Sequence, residues 1–544
     1  VTGTLKDRSR LKLLRKNLGE LALLTFSALL FALSFPGFHS DTGWGLLVFL
    51  SLAPAVPVIR SSSWIRAPFY GAFYGFVSYA IFNYWLSTFH PLAILIVPII
   101  YAVYFILLFP VLKAADVLFP RYSYIVQAVI WVAYEYLRTQ GFLAYPYGNL
   151  GYALYKVLPM IQVAELAGVW GVSFFIALVG FFIGHQLIPM RHGLKPLRGK
   201  TPDIIVIAAL FTGILVFGLA APRGSYDDQQ QWKVALVQHN ADTWKGGLPT
   251  YRRNLETMIA LSEEALTAHD PDVVVWSETA FVPGVDWHSR YRTDAERYAL
   301  VQELRAYLED KEVPFVIGND DGQLADPLKP PVLADGSMNR VDYNAIFLYE
   351  EGGLRQTYRK THLVPFTENF PYKDTFPRFY QLLVDNDYHF WERGTEYTVF
   401  ETKAGVRFST PICFEDIFGY LNRRFVQEGA EIIVNLTNDS WSGSVAAQMQ
   451  HMSMAVFRAV ELRRSVVRSG NSGMTCTIDP DGRITGILEP FVEDYFYGTV
   501  PIYTDRNTLY YRWGDWYAQL MLILALLLLS GGAVLRLRSF LRRR

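Results

Sequence analysis

What most constrains this chain is a succession of apolar stretches: Leu21 to Phe38, Gly43 to Ile59, Ala67 to Phe89, Pro91 to Leu112, Tyr122 to Leu137, Leu166 to Met190 and Ile204 to Pro222, with another at Tyr517 to Leu535. Each is nearly free of charge and about long enough to cross a ~30 Å hydrocarbon layer as a helix. Buried helices of a soluble protein would also be apolar, but seven in succession leave almost no polar faces between them. The pattern therefore predicts eight membrane helices, seven before one long polar segment and one after it. The first stretch has no small-residue cleavage pattern before Pro36 and reads as a retained helix.

Charge sets the orientation. Residues 1 to 17 hold six Lys or Arg, Arg60 to Arg66 two, Lys113 to Arg121 two, Arg191 to Lys200 four and Arg536 to Arg544 five, whereas the intervening short loops hold only Arg138 and Lys156. By the positive-inside rule both termini are cytoplasmic and residues 223 to 515 lie on the opposite side. Tyr510, Tyr511, Trp513, Trp516 and Tyr517 gather where the last helix begins, as aromatic side chains do at a headgroup boundary. Fifty basic and fifty acidic residues cancel, so no global positive field exists to hold nucleic acid. Glu135 and His185, both near proposed helix ends, are the only obvious ionisable residues within the spans, which argues against an ion path and a transporter.

The chain thus divides into a membrane part (residues 1–222), a polar domain (223–515), and a last helix with a basic tail (516–544). Within the polar domain, strands are predicted at Trp232 to Gln238, Asp272 to Trp276, Val313 to Gly318, Asn344 to Tyr349, Val406 to Pro411, Glu431 to Leu436, Met474 to Ile478 and Ile484 to Leu488. Helices are predicted at Tyr251 to Ala268, Arg292 to Asp310, Ile417 to Gln427 and Val445 to Arg464. Such a mixture suggests one layered α/β or α+β domain. No glycine-rich loop followed by Lys-Ser/Thr signals a nucleotide site.

Two cysteines occur, Cys413 and Cys476, and a disulfide between them is the plain alternative in a compartment that permits one. Their settings differ. Cys476 sits inside a strand, while Cys413 ends one and opens a helix, where backbone donors would favour a thiolate. A nucleophilic cysteine needs a base and a group to hold the oxyanion. His239, His362 and His451 fall in contexts that read as structural or surface, and no pair has metal-ligand spacing. Other strand ends carry charge: Trp276-Ser277-Glu278 delivers a carboxylate, and Tyr358-Arg359-Lys360 an amine.

Taken together, Trp276-Ser277-Glu278, Tyr358-Arg359-Lys360 and Ile412-Cys413-Phe414-Glu415 resemble the Glu-Lys-Cys triad of the nitrilase superfamily. Within it, seven membrane helices, an exported domain and a final helix resemble the bacterial apolipoprotein N-acyltransferases. Lys360 to Glu368, Asn435 to Trp441, and Glu135 to Arg138 with the Gly141 to Gly148 loop share that likeness. The resemblance implies an αββα sandwich and a membrane enzyme of the inner (cytoplasmic) membrane, monomeric and without cofactor or metal. It implies that a phospholipid acyl chain passes to Cys413 and then to the amine of a diacylglyceryl-cysteine apolipoprotein. Glu278 would be the base, and Lys360 with the Phe414 N–H would hold the oxyanion. Glu368 would orient Lys360, and Glu415 would support the loop after the nucleophile. Phe414 stands where the family commonly has tyrosine, so one hydroxyl is lost and the backbone donor kept. Trp244 is the candidate for a tryptophan that the family places after the first strand.

A membrane-tethered amidase acting on a small amide would share the triad, but would need one helix rather than eight. Phe281 to Trp287 and Asn369 to Trp391 are rich in Phe, Tyr, Trp and Pro; they would either dip into the headgroup layer or pack as a satellite cluster over the domain.

Overall fold

The computed structural model describes residues 2–89, 93–191, 200–222, 224–385 and 389–542. Val1, residues 90–92 at the start of the fourth apolar stretch, residues 192–199 of the basic loop, Arg223, residues 386–388 of the aromatic segment and the last two arginines lie outside these. The chain divides into two compact units, one of Val1–Gln140, Ala144–Pro222 and Asp515–Arg544, the other of Gly141–Leu143 and Arg223–Gly514.

In the first unit, five helices among the described residues are long and apolar enough to cross a membrane: Leu14–Leu33, Ala93–Leu118, Val169–Ile188, Thr201–Ala220 and Trp516–Leu541. The remaining predicted spans are shorter. Arg66–Phe82 has 17 residues and Ser123–Leu137 has 15, roughly 26 and 23 Å of helix. Gly43 to Ile59 is broken into Gly45–Leu47, Val48–Ser51 and Ala55–Ser61. Pro54 stands at the break, having no N–H with which to continue the ladder. Eight apolar runs thus resolve into five helices of spanning length and three shorter segments. Only Gly218 of Thr201–Ala220 is buried, and Ile205 and Leu219 are exposed; such a surface needs hydrocarbon as its solvent. The unit's buried charge is locked in place. Glu135 Oε1 accepts from Trp131 Nε1 and Leu150 N, while Arg138 donates to the carbonyls of Tyr145 and Tyr147, to Tyr101 and to Asn149.

The second unit is an αββα sandwich of two six-stranded sheets. Its strands are β1 (Gln231–Gln238), β2 (Val273–Trp276), β3 (Phe315–Gln323), β4 (Val341–Glu350), β5 (Gly353–Arg359), β6 (Val399–Glu401), β7 (Arg407–Ser409), β8 (Ile432–Thr437), β9 (Ser465–Gly470), β10 (Cys476–Ile478), β11 (Ile484–Ile487) and β12 (Asp494–Pro501). The sheet orders are β12-β1-β2-β3-β4-β5 and β11-β10-β9-β8-β7-β6. Each sheet has a parallel centre, β1-β2-β3 in one and β7-β8-β9 in the other. Those strands are covered on both faces, so β2 (VVVW) and β8 (IIVNLT) are buried throughout; β2 reads as an unbroken apolar run, and β8 as one interrupted by Asn435. On the outer face of the first sheet, Leu255, Met258 and Ala265 of helix Leu248–Ala268 and Leu300, Leu304 and Leu308 of helix Ala295–Glu309 pack on Ala235, Val274, Trp276 and Phe347. Between the sheets, Trp232 meets Phe408 at 5.3 Å and Ser469 Oγ donates to Val275 O.

All eight predicted strands and four predicted helices of this unit are present. Four strands were not predicted: β5, β6, β9 and β12. The most consequential is β9, because the chain passes from helix Val445–Leu462 into it through Arg463 and Arg464 only, Arg463 held at φ 50°, with no Gly or Pro to mark the break.

The two aromatic segments part company. Phe281, Val285 and Trp287 are buried, pinned by Asn319, whose Nδ2 donates to the carbonyls of Phe281 and Pro283. That segment is core and cannot dip into lipid. Within Asn369 to Trp391, by contrast, helix Pro377–Val384 has no buried residue, and Phe376, Phe379 and Leu382 are exposed.

Candidate active site

Strand ends converge where the two sheets meet. Glu278 follows β2 by two residues. The turn that carries it is possible because β3 has no side chain at Gly318: a Cβ there would lie 2.3 Å from Ser277 O and 2.6 Å from Thr279 N. Lys360 directly follows β5, its N–H donating to Asn344 O of β4. Cys413 lies beyond β7 and opens a single 3-10 turn, Cys413–Ile417.

Glu278 and Lys360 are buried and joined, Nζ to Oε1 at 3.3 Å, and Lys360 Nζ reaches Glu368 Oε1 at 2.7 Å. Glu278 is further fixed by Asn344 Nδ2 donating to Oε1 at 2.8 Å and by Asn438 N–H donating to Oε2 at 2.9 Å. The second oxygen of Glu368 accepts the Val364 N–H at 2.8 Å, closing the Lys360–Glu368 loop on itself. Burial works against the Lys360 charge, but the attraction of Glu368 and Glu278 outweighs it and holds the ammonium above its ordinary range. For Glu278, burial pushes the carboxyl up and Lys360 pulls it down, with burial the larger effect. A carboxylate raised in this way holds a proton more firmly than an exposed one, as a general base requires.

Cys413 adopts φ 47°, a left-handed conformation rare for a residue with a Cβ and costing on the order of 1 kcal/mol or more. Its neighbours hold it there. Asn435 Nδ2 donates to the carbonyls of Pro411 and Cys413, and Glu415 N donates to Ile412 O. Glu415 serves as a template for two turns at once: its carboxylate accepts from Ile412 N on the nucleophile's side and from Thr361 N, Thr361 Oγ1, His362 N and Tyr358 OH on the Lys360 side. Phe414 is buried against Phe418 and His362.

The helix-start argument for a thiolate at Cys413 meets an opposing effect. Burial pushes the Cys413 thiol well above its ordinary value, the Glu278 charge adds to this, and Lys360 only partly offsets it. One five-residue 3-10 turn supplies too little dipole to compete with desolvation. Burial thus favours the neutral thiol, and its side chain is in hydrogen-bond contact with Glu278. Cys476 is not joined to Cys413; it is fully buried in β10, and burial pushes its thiol up to about 12.

Trp244 lies on the loop after β1 and is 62% exposed. The loop is tied to the Asn438 turn through Thr243, which contacts Ser440 and Asn438. It is not part of the Glu278–Lys360–Glu368 hydrogen-bonded group.

Sequence reasoning missed a second cluster. His451, buried on helix Val445–Leu462, contacts Asp439 through Nδ1 and Asp416 through Nε2, each at 2.9 Å. Arg468 of β9 pairs with both aspartates. Cys413, Asp439 and His451 offer donor atoms all within 4.8 Å of one another. They do not form a metal cradle, since both carboxylates are already engaged by Arg468 and both imidazole nitrogens by carboxylates. Asp439 lies inside the Asn435 to Trp441 segment singled out from sequence, and Asn344 opens a predicted strand with a polar side chain; either could have raised the question.

Comparison with known proteins agrees with this fold. Residues 233–506 match the Carbon-nitrogen hydrolase family, and residues 27–182 match the Apolipoprotein N-acyltransferase N-terminal domain. The chain is 42% identical over 520 residues to apolipoprotein N-acyltransferase 1 of Treponema denticola, covering 93% of this chain and 95% of that protein. It is 41% identical over 537 residues to apolipoprotein N-acyltransferase 1 of Treponema pallidum, covering 96% of each. A Thermotoga maritima apolipoprotein N-acyltransferase is 28% identical, over 94% of this chain and 93% of that one.

Proposed function

This chain belongs to the apolipoprotein N-acyltransferase family, and on that premise we propose that it transfers an acyl chain from a phospholipid, through a thioester on Cys413, to the amine of a diacylglyceryl-cysteine at the head of an apolipoprotein. The observation that carries the assignment of residues is the buried Glu278–Lys360 pair with the half-buried, left-handed Cys413 in contact with Glu278, each at a strand end.

In the first half-reaction Glu278 takes the thiol proton as sulfur attacks the ester carbonyl, and the tetrahedral oxyanion forms against Lys360 and the Phe414 N–H. Each well-placed donor contributes roughly 3 kcal/mol to that step. Glu278 then returns the proton to the departing lysophospholipid oxygen. In the second half it deprotonates the incoming amine, which attacks the thioester, and the thiolate leaves. Glu368 keeps Lys360 charged and aimed, and Glu415 holds the two turns in register. Carboxylates tied down by Lys360 and buried donors suit a step from which water must be kept out while the thioester waits.

The membrane-bound setting fits lipid substrates, and the exposed apolar helix Pro377–Val384 offers a route for acyl chains. By the charge bias of the loops, the catalytic domain is on the periplasmic side of the inner membrane, with the apolar stretches as eight spans, the shorter ones matched by tilt-free crossing or local thinning. The protein acts as a monomer on one phospholipid and one lipoprotein at a time.

The test is mass spectrometry of a diacylglyceryl-cysteinyl peptide incubated with phospholipid and purified protein. Wild type should add one acyl chain, and Cys413→Ala none while remaining folded. Wild type that leaves the peptide unchanged, yet releases ammonia from small amides, would turn the assignment toward an amidase.

A further inference from the structure

Four charged side chains meet beside the sulfur without taking part in the chemistry described above: Asp416 three residues after Cys413, Asp439 one residue after Asn438, His451 and Arg468. All are buried. Each nitrogen of His451 faces a carboxylate, Nδ1 that of Asp439 at 2.9 and 3.1 Å from its two oxygens and Nε2 that of Asp416 at 2.9 Å. A carboxylate accepts and does not donate, and a neutral imidazole would turn a lone pair toward one of them, so the ring carries both protons. Arg468 pairs with both aspartates. Two anions and two cations then balance.

The placement of the two aspartates is what matters. Asp416 belongs to the turn that holds Cys413 at its left-handed φ. Asp439 continues from Asn438, whose N–H fixes Glu278 Oε2 at 2.9 Å. We propose that His451 is a positioning residue of this acyltransferase: its imidazolium staples the nucleophile's turn to the loop that orients the base, and keeps the charge beside the sulfur balanced as thiolate develops. This rests on the reading of Cys413 and Glu278 as nucleophile and base.

Loss of the ring proton would leave a net negative charge within 4.8 Å of Sγ, opposing thiolate formation, and would slacken the hold on Asp416 or Asp439. The groups facing the ring are Cys413 and Asp416 from the 3-10 turn, Asp439 from the loop after β8, and Arg468 from β9 with Cys476 of β10 behind it; on its own helix Arg458 pairs with Glu461. Burial lowers the imidazolium's affinity for its proton, but Asp439 and Asp416 more than compensate, raising it from 6.5 to about 9. The staple is therefore complete at neutral pH and is lost as pH rises through that value.

The experiment is single-turnover acylation of the full chain in phosphatidylethanolamine nanodiscs, read as acyl-Cys413 by intact mass from pH 6 to 10, for wild type, His451→Gln and Cys413→Ala. Wild type should show a rate that declines on the alkaline side. His451→Gln should acylate at least about tenfold more slowly at pH 7, with the lipid dependence unchanged and no such decline. A His451→Gln rate equal to wild type, or a wild-type rate that stays level or rises to pH 10, overturns the proposal; the wild-type profile decides alone where the variant does not fold. Acyl adduct on Cys413→Ala would instead sink the nucleophile assignment, whereas an inert Cys413→Ala beside a fully active His451→Gln sinks only the staple.

Discussion

At the scale of single residues, this site works by withholding charge from the sulfur and concentrating it on its neighbours. Because burial and Glu278 push the Cys413 thiol up, alkylation by iodoacetamide should be slow at pH 7 and should rise with pH, the opposite of an activated surface thiolate. Rapid, pH-independent alkylation between pH 6 and 8 would contradict that. Lys360 is fully buried between two carboxylates. Lys360→Met should reduce acyl transfer by roughly 10² or more and, by leaving Glu278 and Glu368 unpaired, cost on the order of 3 kcal/mol in stability. Initial rates and an unfolding curve check both; a variant within tenfold of wild type would remove Lys360 from the oxyanion role. These assignments were legible in part. Glu278, Lys360 and Cys413 showed as charged or nucleophilic residues at strand ends, but a thiol's proton affinity depends on desolvation, which no local sequence reports.

At the scale of elements, the decisive feature is how closely strands approach. Gly318 of β3 admits the Glu278 turn, so Gly318→Ala should push Ser277 and Thr279 away, cost about 1–3 kcal/mol and misplace the base. Thermal unfolding together with acylation rates measures this; unchanged rates would mean that the turn has room to spare. Most strands were readable because parallel, doubly covered strands are unbroken apolar runs. β9 was not, since its SVVRSG follows a buried helix with only Arg463 and Arg464 between them, and neither residue is a Gly or Pro that would mark a break. That unpredicted strand supplies Arg468, which explains why the ion cluster beside Cys413 was invisible. The same limit shows in the membrane part, where hydropathy found every apolar run but not that Pro54 breaks one of them.

At the scale of the whole molecule, charge bias and apolar surface speak to orientation. In a protein stripped of its own cysteines, a cysteine at exposed Asp335 should react with a membrane-impermeant maleimide from the periplasmic side, and one at Ser539 should not. The reverse pattern would invert the proposed topology.

The sequence by itself determined that this is a membrane protein with one large layered polar domain that carries a carboxylate, an amine and a thiol at Glu278, Lys360 and Cys413. Those follow from hydropathy, periodicity and residue chemistry, which act over a few neighbours. Only the tertiary structure decided that Glu368 closes on Lys360, that Glu415 templates two turns separated by 54 residues, that Phe281 to Trp287 is core while Pro377–Val384 is exposed, and that His451 sits between two aspartates. Each depends on burial and on partners distant in the chain, and the energy of a buried charge is set by what surrounds it in space.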